Sequence, residues 1–251
     1  MKRLLLIILL MLMPGILRAY EPGTFNLTSP TNLEKGQGEF KIQHRFYGEV
    51  GDETLDTFFG MDIGANVGIG LRYAVLPGLD LNVARFRNRK EGVLGASYAY
   101  SPSGIPLRGQ VDIQYFRYEE FDFGTNSEEK RKGVFGLFSL RAEPILNRIT
   151  PVVNMGYDGY NEEFGAGLGL AVTVLENLGT IQKIIAVGEY FPTTSEDEKE
   201  QSLAFGVRIE TYGHHFDLIL HNNSELGARH LMSGTITTEG LRFGFNIKRL
   251  F

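Results

Sequence analysis

Leu241-Arg-Phe-Gly-Phe-Asn-Ile-Lys-Arg-Leu-Phe251 closes the chain. Leu241, Phe243, Phe245, Ile247 and Phe251 share one parity, Arg242, Gly244, Asn246 and Lys248 the other, and Arg249 alone breaks the apolar set. Successive side chains of a strand point to opposite faces, so this alternation describes a strand with one oily and one wet side. The same pattern recurs upstream. Met61, Ile63, Ala65, Val67, Ile69, Leu71 and Tyr73 alternate with Asp62, Gly64, Asn66, Gly68, Gly70, Arg72 and Ala74, which predicts a strand over Met61 to Ala74. Phe40 to Tyr47, Gln110 to Tyr115, Phe164 to Val174 and Leu203 to Glu210 repeat it. A period of two sustained this long suits a tilted membrane strand of about 9–11 residues. Val134 to Ala142 and Ile181 to Phe191 are apolar on both faces, and their register stays open.

The first residues supply an address. Lys2 and Arg3 precede the apolar run Leu4 to Met13, and Arg18-Ala19 precedes Tyr20, the pattern of a secretory signal peptide over 1–19. Past it, no stretch approaches the ~20 apolar residues of a transmembrane helix. Only helices and closed sheets satisfy their backbone groups in lipid, so a membrane protein of this composition is expected to be a β-barrel of the outer membrane. Loss of Lys2, Arg3 and Arg18 would take the formal charge from −5 to −8, a poor match to nucleic acid. Cys 0 excludes disulfides and thiol chemistry, and Trp 0 leaves the membrane-interface aromatics to Tyr 11 and Phe 18.

Read throughout, the pattern gives about 12 antiparallel strands, an even number as in single-chain bacterial barrels. The connections sort by length. Val75 to Gly78, Ser101 to Pro106, Glu143 to Arg148, Leu175 to Thr180 and Tyr212 to His214 are short. Gly48 to Thr57, Arg87 to Glu91, Glu119 to Lys132, Gly159 to Glu162, Pro192 to Gln201 and Asn223 to Glu239 alternate with them and include every long polar segment. Tight periplasmic turns and longer external loops have this arrangement, which puts both termini on the periplasmic side. The expected organisation is a signal peptide over 1–19, an extended N-terminal leader over 20–37 and a barrel over 38–251. The leader has no periodicity, and the sequence leaves open whether it enters the lumen. Phe251 is the expected barrel-assembly signal.

Several segments resemble a family of uncharacterised outer-membrane β-barrel proteins of Gram-negative bacteria, defined only as a domain of unknown function. They are Leu33-Glu-Lys-Gly36, Glu39-Phe-Lys-Ile-Gln-His-Arg-Phe46, Gly60 to Tyr73, Gly188-Glu-Tyr-Phe-Pro192, Gly213-His-His-Phe216 and Gly244 to Phe251. The resemblance covers nearly the whole mature chain. It implies a barrel in the outer membrane and neither a substrate nor catalytic residues.

The candidate site is the lumen. Lys41, Arg45, Asp62, Asn66, Arg72, Arg108, Asp112, Gln114, Arg208, Glu210, Arg242 and Lys248 are its expected lining. Two readings compete: a water-filled lumen whose charges select small polar solutes, and a lumen closed by Arg–carboxylate pairs in a barrel narrower than a porin. The first makes the protein a non-enzymatic, passive, narrow channel. The second makes it a closed structural or accessory barrel docking a periplasmic or surface partner. A third reading, an outer-membrane lipid hydrolase, draws on His44, His214, His215, His221 and His230. It finds no Gly-x-Ser-x-Gly nucleophile elbow. The adjacent pair His214-His215 points to opposite strand faces, and no metal or cofactor is expected. Acidic clusters at Glu119, Glu120, Asp122, Glu128 and Glu129 and at Glu196, Asp197, Glu198 and Glu200 read as solvated loop tips or as carboxylates bridged through divalent cations to lipopolysaccharide. The glycines over Gly64 to Gly70 and Gly165 to Gly169 recur every second residue, a device for opening lumen space or easing strand curvature rather than for cradling phosphate. Expected partners are outer-membrane lipid and lipopolysaccharide, the barrel-assembly machinery and a small polar solute.

Overall fold

A computed structural model of the chain describes residues 24–30, 33–51, 55–122, 127–193, 199–235 and 240–251, with the side chains of residues 121 and 122 set aside. The expected signal peptide lies outside the described residues. Twelve antiparallel strands close into a barrel in sequence order: β1 Gly38–Glu49, β2 Ala65–Leu76, β3 Leu79–Phe86, β4 Gly92–Tyr100, β5 Leu107–Asp122, β6 Ser127–Ala142, β7 Ile149–Asp158, β8 Glu163–Leu178, β9 Ile181–Phe191, β10 Ser202–Thr211, β11 His214–His221 and β12 Arg242–Leu250. The seam runs from Glu39↔Leu250 to Arg45↔Gly244. Backbone bonds carry it to the last residue: Gly38 N donates to Phe251 O at 2.8 Å and Phe251 N to Gly38 O at 3.0 Å.

Both ends of the barrel chain sit on one rim. That rim also holds the connections 77–78, 101–106, 143–148, 179–180 and 212–213, while the strand ends that lead from β1 to β2, β3 to β4, β5 to β6, β7 to β8, β9 to β10 and β11 to β12 lie on the other. The expected alternation of short and long connections is present, with three changes of boundary. Met61–Ile63 form a one-turn helix between Gly60 (φ 79°) and Gly64 (φ 107°), so β2 begins at Ala65 rather than at Met61. Glu119 to Lys132, expected as a loop, is mostly strand: Arg117↔Lys132, Glu119↔Lys130 and Asp122↔Ser127 extend the β5–β6 ladder. Its residues are polar on both faces, and a hydrophobic period cannot reveal such a strand. Likewise β8 continues through Leu175 to Leu178, across a register shift between Thr173 and Leu175 that interrupts the alternation.

The outside is oily. Leu94 is 62 % exposed, Ile113 61 % and Phe164 73 %, and they belong to a band of exposed apolar residues spread over the strands rather than being scattered exceptions. Tyr73, Tyr98, Tyr100 and Tyr212 stand near the terminal rim, and Tyr115, Tyr157, Phe164 and Tyr190 near the other, all exposed. Two aromatic girdles bounding an apolar belt are the surface that a bilayer solvates, and Tyr and Phe build both of them here.

The inside is filled by two parts of the chain that are not barrel wall. Residues 24–30 enter it, with Phe25 fully buried among Ala171, Ile185, Val187, Ala204 and Ile219. From the opposite rim the β11–β12 connection folds inward through a short helix, α1 Ala228–Met232, all five residues of which are buried. Leu226, Leu231 and Met232 pack with Phe86, Val93, Phe116, Phe135 and Leu137 and with Leu27 of the N-terminal segment. A dry layer thus crosses the barrel above a polar zone. At the terminal rim Leu33 packs with Ala74 and Leu250.

Candidate functional site

The polar zone is organised around the N-terminal segment. Glu189 of β9 receives three N–H groups: Asn26 N at 2.7 Å and Leu27 N at 3.0 Å on Oε1, and Asn26 Nδ2 at 2.8 Å on Oε2. Asn154 of β7 pairs reciprocally with Thr28, its Oδ1 accepting from Thr28 N at 2.9 Å and its Nδ2 donating to Thr28 O at 2.7 Å. From β1 and β12, Lys41 Nζ and Asn246 Nδ2 both donate to Phe25 O at 3.2 Å, and from β10, beside β9, Arg208 Nη2 donates to Thr24 O at 3.0 Å. Six wall side chains, counting Arg45 Nη2 on Asn26 Oδ1 at 2.7 Å, therefore grip the five successive residues Thr24 to Thr28. An extended segment with no ladder of its own needs such partners, because a buried, unpaired peptide group costs about 1–3 kcal/mol.

The expected lining residues separate into groups. Lys41, Arg45 and Arg208 hold the N-terminal segment, and Arg208 is also bound to Asp217 at 2.6 and 3.2 Å, with both side chains fully buried. Arg45 adds bonds to His44 O, Phe245 O and Asn246 Oδ1. Arg72 is paired with Asp80. Arg108 pairs with Glu143 at 2.8 Å on the terminal rim, Glu210 lies 3.9 Å from His215, and Asp112 accepts from Gln110 at 2.9 and 3.0 Å. Gln114, Asp112, Arg72, Lys41 and Lys248 line a cavity of about 190 Å³ left between β1–β5 and the segment. Asn66 and Arg242 instead bind loops at the far rim, Asn66 through Ser224 O and Asn88 N, Arg242 through Glu49 and Asn222 O. Asp62 is not in the lumen: it lies in the one-turn helix and is exposed, because the strand that would have turned it inward starts three residues later.

The inward-folded loop carries its own polar anchor. Arg229 of α1 donates to Glu91 at 2.9 Å and to Asp158 at 3.0 Å, and its guanidinium lies 3.8 Å from the Phe116 ring centroid. His230 makes a close Nε2 contact with Glu91, and its Nδ1 lies 3.2 Å from Arg89. Burial alone would raise the Glu91 pKa, but the His230 hydrogen bond and the Arg229 charge outweigh it and hold the carboxyl below its ordinary value. Burial likewise works against the Arg229 charge, and Glu91 and Asp158 reverse that, leaving its pKa raised.

Sequence reasoning missed Glu189, Asp217, Glu91 and Arg229. Glu189 shares parity with Ile185 and Val187 in a run whose register was open; a carboxylate inside an otherwise apolar strand was the available signal. The histidines are scattered. His44 stacks on Phe245 outside the barrel at 4.9 Å, His214 faces Arg249, and His221 contacts Phe243 O. Of the acidic clusters, Glu119 and Glu128 are bound to Lys90, and Glu120 and Glu129 to Arg131, while residues 196–198 lie outside the described residues.

Comparison with known proteins agrees with this architecture. None of the curated proteins matches the chain. Solved structures similar to it include the Acinetobacter baumannii outer membrane protein Omp33, at 9 % identity and TM-score 0.48 over 86 % of this chain and 99 % of that one. LpxR from Salmonella typhimurium matches at 13 % and 0.47 over 86 % and 99 %, and OmpT of Vibrio cholerae at 10 % and 0.40 over 90 % and 100 %. A family model described as "Membrane bound beta barrel domain (DUF5777)" matches residues 23–102 and 137–251, which includes the N-terminal segment, β1 to β4 and the second half of the barrel. The chain belongs to this family of membrane-bound β-barrels and is a protein of the outer membrane.

Proposed function

We propose that the protein is a non-enzymatic, passive pathway for small polar solutes that is shut at rest by its own N-terminal segment and by the β11–β12 loop. The observation that carries this reading is the asymmetry of the lumen. The described bonds to residues 24–30 come from β1, β7, β9, β10 and β12, whereas β2 to β5 turn Arg72, Gln110, Asp112 and Gln114 toward the 190 Å³ cavity. A barrel meant only as a scaffold gains nothing from placing Lys41, Lys248, Arg72 and Asp112 around a void, since burying charge carries a desolvation cost even where it is paired, as Arg72 is with Asp80. The apolar layer around Leu226, Leu231 and Met232 excludes water between that cavity and the loop rim, as a hydrophobic constriction does in a gated pore. With the termini periplasmic, the N-terminal segment seals from within and the loop from outside. The dry layer also supports a second reading, a closed accessory barrel.

Planar-bilayer conductance separates them. The wild type is expected to be almost silent, and a variant lacking residues 24–30 together with 226–232 is expected to conduct. Silence of that doubly opened variant, with its barrel shown to be folded by heat-dependent gel mobility, refutes the pathway and leaves the accessory reading.

A further inference from the structure

On the lipid-facing wall, just beyond the apolar belt, the cross-strand register lines up Arg85 of β3, Gly92 of β4, Arg117 of β5 and Lys132 of β6 in one row. All three basic residues are exposed and have outward parity, and Lys130 stands one step further along the projecting β5–β6 hairpin on the same face. The row immediately below is Val83, Leu94, Tyr115 and Val134, each 46–62 % exposed. Two residues along a strand span about 6.8 Å, so cationic groups stand at the level where hydrocarbon gives way to headgroups. Elsewhere near this rim the outward residues include the apolar Tyr157 on β7, Phe164 on β8, Tyr190 on β9, Leu203 on β10, Leu220 on β11 and Phe243 on β12. The charge is therefore local to four strands.

Arg117 directly faces Lys132, and like charges opposed across a strand pair destabilise it. Compensation within the described protein is partial: Glu119 lies opposite Lys130, and its charge attracts Lys130 and Arg117. The two outward carboxylates on the hairpin, Glu119 and Glu128, are both bound by Lys90, at 2.6 and 3.2 Å, leaving Arg117, Lys130 and Lys132 without an ion pair. Arg85 has a backbone carbonyl, that of Lys90, for a partner, and its Nη1 lies 4.0 Å from where a Cβ on Gly92 would stand. The missing side chain at Gly92 leaves a notch between Arg85 and Arg117, about two strand spacings or 10 Å apart.

We propose that Arg85, Arg117, Lys130 and Lys132 dock the phosphate groups of a membrane lipid, a phosphorylated glycolipid of the lipopolysaccharide class, with its acyl chains on the Val83, Leu94, Tyr115 and Val134 row. Guanidinium groups match phosphate through forked hydrogen bonds, and a position beside lipid tails selects an anion that carries them. The choice of the outer-leaflet lipid rests on the long-loop rim facing outward.

The test titrates detergent-solubilised full-length protein with bisphosphorylated lipid A, with its dephosphorylated form and with inorganic phosphate, reading binding by native mass spectrometry. Bisphosphorylated lipid A should bind at least tenfold more tightly than the dephosphorylated form, and inorganic phosphate at the same concentration should not displace it. The double variant Arg117→Gln/Lys132→Gln should lose at least tenfold in affinity, while Arg117→Lys/Lys132→Arg should retain most of it. Arg131→Gln, on the same hairpin but facing the lumen, should bind as the wild type does. Equal binding of the dephosphorylated lipid, undiminished binding by the double glutamine variant, displacement by inorganic phosphate, or an equal loss in Arg131→Gln each overturns the proposal. Labelling of a Lys130→Cys variant on intact cells tests the outward orientation separately; a hairpin reachable only from the periplasm overturns the choice of lipid.

Discussion

Replacing Glu189 by Ala should release the N-terminal segment while leaving the barrel closed. Three donors converge on this carboxylate, Asn26 N at 2.7 Å, Asn26 Nδ2 at 2.8 Å and Leu27 N at 3.0 Å. Hydrogen bonds to a charged group contribute roughly 1.5–3 kcal/mol each; the lower figure, with water taking over one of the three, leaves about 3 kcal/mol. At about 1.4 kcal/mol per tenfold, the seated population should fall by about two orders of magnitude relative to the unseated one. Glu189→Gln keeps one acceptor oxygen and loses the charge, so its effect should be intermediate, roughly tenfold. The remaining anchors at Asn154, Lys41 and Arg208 persist in both variants, so the change is a shift in population rather than an all-or-none release. Hydrogen exchange at the Asn26 and Leu27 amides reads the equilibrium, with the Val187 amide in the adjoining wall as the internal control. Exchange should rise about a hundredfold in Glu189→Ala at the two segment amides and stay unchanged at Val187. Wild-type protection at Asn26 and Leu27 in that variant would refute the argument, because the segment would then be held by something other than the carboxylate.

The loop plug should respond to acid and be indifferent to change near neutrality. The Glu91 carboxyl is held below its ordinary value of 4.5, so the stabilisation it gives α1 is fully present above that value and is lost as the pH falls through its lowered one. In a Leu226→Trp variant the indole, the chain's sole tryptophan, should leave its apolar surroundings only below about pH 4.5; a fluorescence transition between pH 6 and 8 would contradict the assignment. Deleting Phe251 removes both backbone bonds to Gly38 and the ring that lies against it, whose Cζ stands 2.4 Å from where a Gly38 Cβ would be. The fraction of folded protein in the outer membrane should drop for that deletion and for Phe251→Asp, and normal insertion of both would remove Phe251 from any assembly role.

The wall of this barrel was legible because lipid on one side and polar groups on the other impose a period of two. Where one of those contrasts fades, so did the reading. The β5–β6 hairpin beyond Arg117 projects past its neighbours and is polar on both faces, so its strands looked like loop. In β9, apolar residues on both faces concealed Glu189, since Ile185 and Val187 turn inward to bury Phe25 rather than outward to lipid. Asp62 was misplaced for a different reason: alternation from Met61 is formally continuous with β2, but the left-handed Gly60 and the positive φ of Gly64 break the chain out of the strand. The inner occupants could not be read at all. Residues 24–30 and α1 owe their positions to contacts with distant strands, and their own sequence has no period to declare them.

Those occupants also give meaning to a pattern that the sequence did display. About eight strands make a barrel that side chains alone can fill, and sixteen or more leave a water channel, so twelve strands enclose more volume than their inward side chains occupy. The glycine track on β8 widens that volume along one line, and the two plugs divide it. A Cβ on Gly167 would stand 2.4 Å from Leu27 and one on Gly169 2.6 Å from Leu27, whereas one on Gly165 would stand 2.4 Å from Met232. Leu27 and Met232 belong to the same apolar cluster, so withdrawing either one exposes apolar surface within the cluster that buries the other. At roughly 25 cal/mol per Å² of such surface, the seat of each plug is strengthened by the presence of the other. The N-terminal segment and the loop, which enter from opposite rims and are anchored by unrelated residues, therefore support each other's seating, and displacing one is expected to lower the cost of displacing its counterpart.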